Sequence, residues 1–149
     1  MMDSCRIEKG YRHFGHDITD EDHVLEAGLG FAVKTDKPKF IGRDAVLQKR
    51  EGGLSSRMLQ FKMQDKELML YHAEPVLRDR KIVSYLTSGN YGHALGGAIG
   101  LGYVPCEGQT AEEVLGSSYE IEIAGQRHAC DVSLRPMYDP KSERVKNQS

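Results

Sequence analysis

An α+β, β-rich fold is predicted for this 149-residue chain: a helix-and-loop segment over residues 1–53, then a small antiparallel six-stranded β-barrel over residues 54–149. Three observations predict it. After Gly52-Gly53, apolar and polar residues alternate with period two in successive short runs, as in half-buried strands. Turn signals separate those runs at short intervals, and closing such strands into a barrel removes exposed edges. Before Gly52-Gly53, short helical pieces lie among polar loops.

The elements follow in order. Asp3 to Arg12 reads as a short helix, with Asp3 or Ser4 as N-cap, Glu8 in its early turns and Gly10 weakening its end. His13 to Asp22 reads as a polar loop. Leu25 to Val33 reads as a tight turn leading into a short apolar strand, its glycines suiting positive φ or close approach. Lys34 to Lys39 is a charged loop. Arg43 to Arg50 reads as a helix ended by Gly52-Gly53.

Leu59, Phe61 and Met63 alternate with Gln60 and Lys62. Pro75–Arg78 and Lys81–Leu86 flank Asp79-Arg80, a hairpin turn without the favoured Asn-Gly chemistry. Gly97 to Val104 reads as a glycine-rich strand ended by Pro105. Tyr119, Ile121 and Ile123 alternate with glutamates, Ala124-Gly125-Gln126 turns the chain back, and His128 to Leu134 alternate again. Pro136 to Ser149 reads as a polar, charged tail.

Twenty Lys and Arg stand against 22 Asp and Glu, for a net charge of −2. That balance argues against a nucleic-acid partner or an anionic membrane surface, which need a basic excess. No apolar run approaches the roughly 20 residues of a membrane-spanning helix. Cys5, Cys106 and Cys130 are odd in number and widely spaced, which points to free thiols in a reducing compartment. All three read as buried, unreactive cysteines, Cys130 as a core residue.

Motif by motif, no active site declares itself. His13 and His16 have H-x-x-H spacing and His23 lies near, but no third or fourth ligand converges in sequence, so they read as solvated or hydrogen-bonding. Asp20-Glu21-Asp22 lacks the spaced pattern of a calcium loop. Gly96 to Gly102 lacks a following helix and the lysine of a phosphate loop, and reads as a tightly packed strand. No catalytic residue and no metal ligand is assigned.

Six ordered blocks do resemble a known family. Arg6-Ile7-Glu8-Lys9-Gly10 running to Gly15-His16-Asp17 resembles the R-x-E-x-G…G-x-D block of the glycine-cleavage T-protein family. Glu26-Ala27-Gly28-Leu29, Phe40-Ile41-Gly42-Arg43, Thr87-Ser88-Gly89-Asn90-Tyr91, Gly100 to Pro105, and Leu134 to Pro140 follow in family order. The wording of Arg12 to Thr19 and of Leu134 to Lys146 looks closest to the branch fused to dimethylglycine and sarcosine dehydrogenases.

The resemblance implies tetrahydrofolate as cofactor and one-carbon transfer as the activity, with FAD only on a parent domain absent from this sequence. It implies a longer protein, of which residues 1–53 are the trailing part of a folate-binding domain and residues 54–149 the C-terminal barrel. The family's catalytic aspartate lies outside this sequence, so the chain is not expected to be catalytically competent alone. Arg6 matches the family arginine lining the folate site, where its planar donors suit a carboxylate or a pterin edge. Read alone, Arg6 is a helix-surface residue. Phe31 stands where the family often has a tryptophan near the ligand; read alone it is a core aromatic. Arg144, with Lys141 and Lys146, could meet a glutamyl tail, or be solvated.

The expected partners are folate and a small one-carbon donor, and a cytoplasmic location, or the mitochondrial matrix in a eukaryote. The alternative is an interaction module that completes its fold as a homodimer or with another polypeptide, because uncovered apolar surface finds partners. A metal enzyme using the His13/His16 loop is a third reading.

Overall fold

Alternation after Gly53 is strong enough to build a sheet, and the sheet closes. The structure, a computed structural model, describes residues 2–147. Its strands are β1 (Ser56–Met63), β2 (Pro75–Arg78), β3 (Lys81–Gly92), β4 (Gly97–Pro105), β5 (Tyr119–Ile123) and β6 (Gln126–Ser133). They form a closed barrel in the order β1-β4-β3-β2-β5-β6, with every pairing antiparallel.

Turn chemistry fixes the registers. Asp79 and Arg80 both take positive φ, as does the Ala124-Gly125 pair, the backbone of tight turns that match strand twist. Arg78 therefore pairs with Lys81, and Ile123 with Gln126. The Asp79 carboxylate accepts from the Ser118 amide at 3.1 Å, a contact that helps a non-glycine residue hold that turn.

The barrel has two apolar layers. Leu59, Phe61, Met63, Val76, Leu86, Val104 and Ile121 fill its interior. Met58, Ile99 and Leu101 point outward from β1 and β4, where Ile7 of helix α1 (Met2–Glu8) covers them. Burying Ile7 fully is worth about 1.5–3 kcal/mol. The glycine-rich β4 is the tightly packed strand expected. A Cβ at Gly100 would lie 2.9 Å from both the Leu86 side chain and the Ser88 carbonyl.

Several elements differ from expectation. Helix α1 ends at Glu8, not Arg12, because Gly10 takes φ +65°. The Tyr11 amide bonds the Arg6 carbonyl and the Gly10 amide the Ile7 carbonyl, a Schellman cap that stops the helix. The expected strand within Leu25–Val33 is absent; those residues form turns and a single 3₁₀ turn, Gly30–Ala32, with no neighbouring strand to pair. Phe31 is 85% exposed, so it is not a core aromatic. Helix α2 (Arg43–Gly52) is where expected. Helix α3 (Ala111–Leu115) was not foreseen; Thr110 and Glu113 form a reciprocal capping box at its start.

The polar tail is docked, not free. Gln60 Oε1 accepts from the Met137 amide at 2.6 Å, and Lys9 Nζ donates to the Asp139 carbonyl at 2.7 Å. A short helix α4 (Glu143–Lys146) follows. Among the described residues no helix is long and apolar enough to cross a membrane.

Candidate ligand-binding site

The R-x-E-x-G block is a set of anchors on one turn of helix. Ser4 Oγ donates to the Tyr91 carbonyl at 2.6 Å, seating α1 on β3. Glu8 is buried, and its Oε1 accepts from the amides of Ala94 and Leu95 at 2.7 and 2.9 Å. It thereby satisfies the β3–β4 turn, whose donors have no strand partner. Gly10 lies against Pro136; an added Cβ would approach the proline Cγ to 3.1 Å. Gln60 Nε2 donates to the Ile7 carbonyl at 2.6 Å, tying β1 to the same helix.

Arg6 is the hub. Its Nη1 donates to Asp17 Oδ2 at 2.7 Å and to the Tyr11 carbonyl at 3.3 Å, its Nη2 to Ser88 Oγ at 3.0 Å, and its Nε to Asp3 Oδ1 at 2.8 Å. Asp17 also accepts from the His13 amide at 2.8 Å and from Thr87 Oγ1 at 2.6 Å. Burial pushes the Asp17 carboxyl up, but the Ser88 and Thr87 hydroxyls, the His13 amide and Arg6 outweigh it and hold it below the ordinary carboxylate range. The T-S-G block acts with them: Thr87 and Ser88 supply these contacts, and Gly89 passes so close to the chain at Leu70 and Tyr71 that a Cβ would lie 2.8 Å from their backbone.

The exposed edge of Arg6 lines a cleft of about 280 Å³ with His13, His16, Tyr71, His72 and Asn90. The His13 and His16 rings lie against each other with centroids 4.7 Å apart and planes tilted by 40°. Tyr71 and His72, missed in the sequence, come from the β1–β2 connection and reach the cleft only through the fold. Among the described residues no group of three or more His, Cys, Asp or Glu is placed to hold a metal.

Phe31 lies elsewhere. It lines a second cleft of about 600 Å³ with Lys9, Tyr11, Arg12, Leu134 and Arg135. Arg6 and Phe31 are therefore not brought together in one cavity. Arg144 lines neither; its Nη1 donates to Tyr138 Oη at 2.8 Å and its guanidinium lies over that ring.

The E-A-G block is structural. Glu26 Oε1 receives Lys49 Nζ, the Ser55 amide and the Ser55 hydroxyl, each at 2.8 Å. Burial opposes its charge, but Lys49, the Ser55 hydroxyl and the Ser55 and Ser56 amides hold its carboxyl at about 2. Cys106 and Cys130 are buried, whereas Cys5 is exposed on α1, contrary to expectation. Burial, helped by Asp131 and Glu120, pushes the Cys130 thiol up to about 12.

The chain is similar in sequence and fold to known proteins. Residues 57–139 match the glycine cleavage T-protein C-terminal barrel domain, and residues 1–37 match the GCVT N-terminal domain. The chain is 37% identical over 146 residues to a 4-methylaminobutanoate oxidase (formaldehyde-forming) of Paenarthrobacter nicotinovorans, covering 97% of this chain and 17% of that protein. It is 35% identical to the mitochondrial sarcosine dehydrogenase of Homo sapiens, covering 97% and 16%. An aminomethyltransferase of Halothermothrix orenii is 40% identical over 111 residues, 74% of this chain and 31% of that one. The crystal structure of the glycine cleavage system aminomethyltransferase T from Bartonella henselae superposes with a TM-score of 0.78 at 27% identity, over 93% of this chain and 38% of that one. The chain thus spans a third or less of the length of these sequence relatives. With its barrel matched along nearly its whole length and its N-terminal blocks matched beside it, the chain belongs to the glycine cleavage T-protein family.

Proposed function

We propose that this chain forms the C-terminal barrel (residues 54–149) and the adjoining edge (residues 1–53) of a tetrahydrofolate-binding unit that moves one-carbon groups, of the sarcosine dehydrogenase type. The observation that carries the reading is Arg6. Its guanidinium is held rigidly by Asp17 and Ser88, yet 20% of the side chain stays exposed at the floor of a cleft. A fixed planar cation suits the carboxylates or the polar edge of folate.

The role proposed for the cleft is to bind and orient a ligand. Of its carboxylates, Asp3 is paired to Arg6, and Asp17 behind it is buried and fully engaged. Because the catalytic aspartate implied by the family resemblance lies outside this sequence, catalysis of the transfer is assigned to groups beyond these residues, and flavin chemistry to a separate FAD domain. Phe31 and Arg144 are peripheral to the Arg6 cleft; Phe31 offers an exposed ring to a ligand or chain lying against the second cleft, and Arg144 a peripheral cation for a glutamyl tail. Two buried thiols and one free exposed one suit a reducing compartment, the cytoplasm or the mitochondrial matrix.

Saturation-transfer NMR with folinic acid tests the reading. Transfer to the ligand is expected from the wild-type chain and is expected to fall strongly in Arg6→Lys, which keeps the charge but loses the fork. No transfer from a folded wild-type chain overturns it.

A second reading has its own observation. Met2, Tyr11, Phe14, Phe31 and Ile41 of residues 1–53 are all exposed large apolar side chains. That surface suits a module whose fold is completed by a second copy or another polypeptide. Light scattering after size exclusion tests it, and a strict monomer at high concentration removes the second copy as the completing partner and counts heavily against the reading.

A further inference from the structure

We propose that the Arg6 cleft is a carboxylate-binding site already occupied by the chain's own carboxylate, with Asp3 as a displaceable competitor; the identity of the ligand, though not the competition, rests on the folate reading above.

The two acids on Arg6 are unlike. Asp17 has no exposed side-chain surface and is locked by three donors, so it cannot leave. Asp3 is 63% exposed, and its only hydrogen bond among the described residues is to Arg6 Nε. Asp17, Ser88 and Tyr11 together take three of the five guanidinium hydrogens. Asp3 takes the fourth, and among the described residues the fifth has no partner. An incoming carboxylate therefore competes with Asp3 for Nε. It does not disturb the buried side of the guanidinium.

The surroundings fit that ligand class. His13 and His16 stand on one side of the cleft, and Tyr71 and His72 come from another segment. All four side chains carry a polar hydrogen for an anionic oxygen. Among the described residues Asp3 is the one carboxylate that lines the cleft. An exposed ion pair such as Asp3–Arg6 is weak, so it yields to a ligand that gains further donors.

The test is a titration of the ¹⁵N-labelled chain with glutarate, with glutaramide at matched ionic strength as the neutral control. The Arg6 Nε–Hε resonance is followed. Glutarate, and not glutaramide, is expected to shift it. Asp3→Ala is expected to tighten glutarate binding about threefold, the size of one exposed ion pair. Asp3→Asn, which keeps the size and removes the charge, must tighten it too, so a local packing effect of alanine is separated. Unchanged affinity in both variants overturns the proposal. So does a glutarate response absent from all three proteins, or one spread evenly over surface Lys and Arg. Folinic acid run on the same samples separates the two ideas. Tighter glutarate with no response to folinic acid keeps the competitor and removes the folate ligand. Folinic acid bound equally with or without Asp3, with glutarate inert, does the reverse.

Discussion

Arg6 Nη1 lies 2.7 Å from Asp17 Oδ2, and the Asp17 side chain has no solvent-exposed surface. The two stand eleven positions apart in sequence, across the end of α1 and the turns that follow, so this pair closes the N-terminal segment onto itself. Thr87 Oγ1 on Asp17 and Ser88 Oγ under Arg6 then fasten the closed segment to β3. Removing Asp17 takes away the shared acceptor of the Arg6 guanidinium, the His13 amide and the Thr87 hydroxyl at once. Asp17→Ala is expected to cost about 3 kcal/mol, at the low end for a broken buried pair because Arg6 keeps some solvent. Urea denaturation measures it. A loss below about 0.5 kcal/mol, the size of an ordinary surface change, would contradict the role given to Asp17.

Acid should weaken the fold through two carboxylates. Both Asp17 and Glu26 have folded-state values below the ordinary range, Glu26 at about 2. A depressed folded value adds stability above the unfolded one, roughly 3.9 for Asp and 4.3 for Glu, and loses it as pH falls toward the folded value. Stability is therefore expected to be level from neutral pH to about 5 and to fall steadily toward about 2. Glu26→Gln should be less stable than wild type at neutral pH and should show a shallower acid slope. Denaturation series at several pH values read both, and parallel slopes in the two proteins would refute the assignment of Glu26.

Glycine at position 89 is required by contact, not by φ. A Cβ there would meet the backbone of Leu70 and Tyr71 at 2.8 Å, and backbone cannot step aside as a side-chain tip can. Gly89→Ala is expected to lose about 1–3 kcal/mol, the cost of overpacking. Gly52, at the end of α2, has nothing within 4 Å and no positive φ. Gly52→Ala should be neutral or slightly stabilising, because it restricts the unfolded chain. Thermal melts of the two variants side by side make the comparison, and equal losses would contradict it.

Thiol reagents should distinguish the cysteines. Cys5 is exposed, whereas Cys106 and Cys130 are buried with thiols pushed up by burial. In the native protein Cys5 alone is expected to react quickly at neutral pH, and all three after unfolding. Rapid native labelling of Cys130 would show that the barrel opens.

The barrel was legible because its signal is local. Strand alternation and the turns at Asp79-Arg80 and Ala124-Gly125 can be read within a few residues of each other. Helix α3 was not read: its one local mark is the Thr110-x-x-Glu113 capping box, and its five residues carry too little periodicity to stand out. The N-terminal segment was not readable in this way. Its order comes from buried carboxylates whose partners are distant in sequence, such as Glu8 on Ala94 and Leu95 or Asp17 on Thr87. Phe31 shows the same limit: an apolar residue beside glycines resembles a strand, and only the absent neighbouring strand reveals otherwise. Of the candidate site, Arg6 came from family resemblance. Tyr71 and His72 join it across the fold with no local mark.

The most direct test is a map of where folinic acid touches the ¹⁵N-labelled chain. Shift changes are expected at Arg6, His13, His72 and Thr87 to Asn90, the residues of the Arg6 cleft, and are expected to vanish in Arg6→Lys. A folded chain whose spectrum does not respond, or responds only around α3 and the far end of the barrel, would contradict a folate-binding role for this cleft.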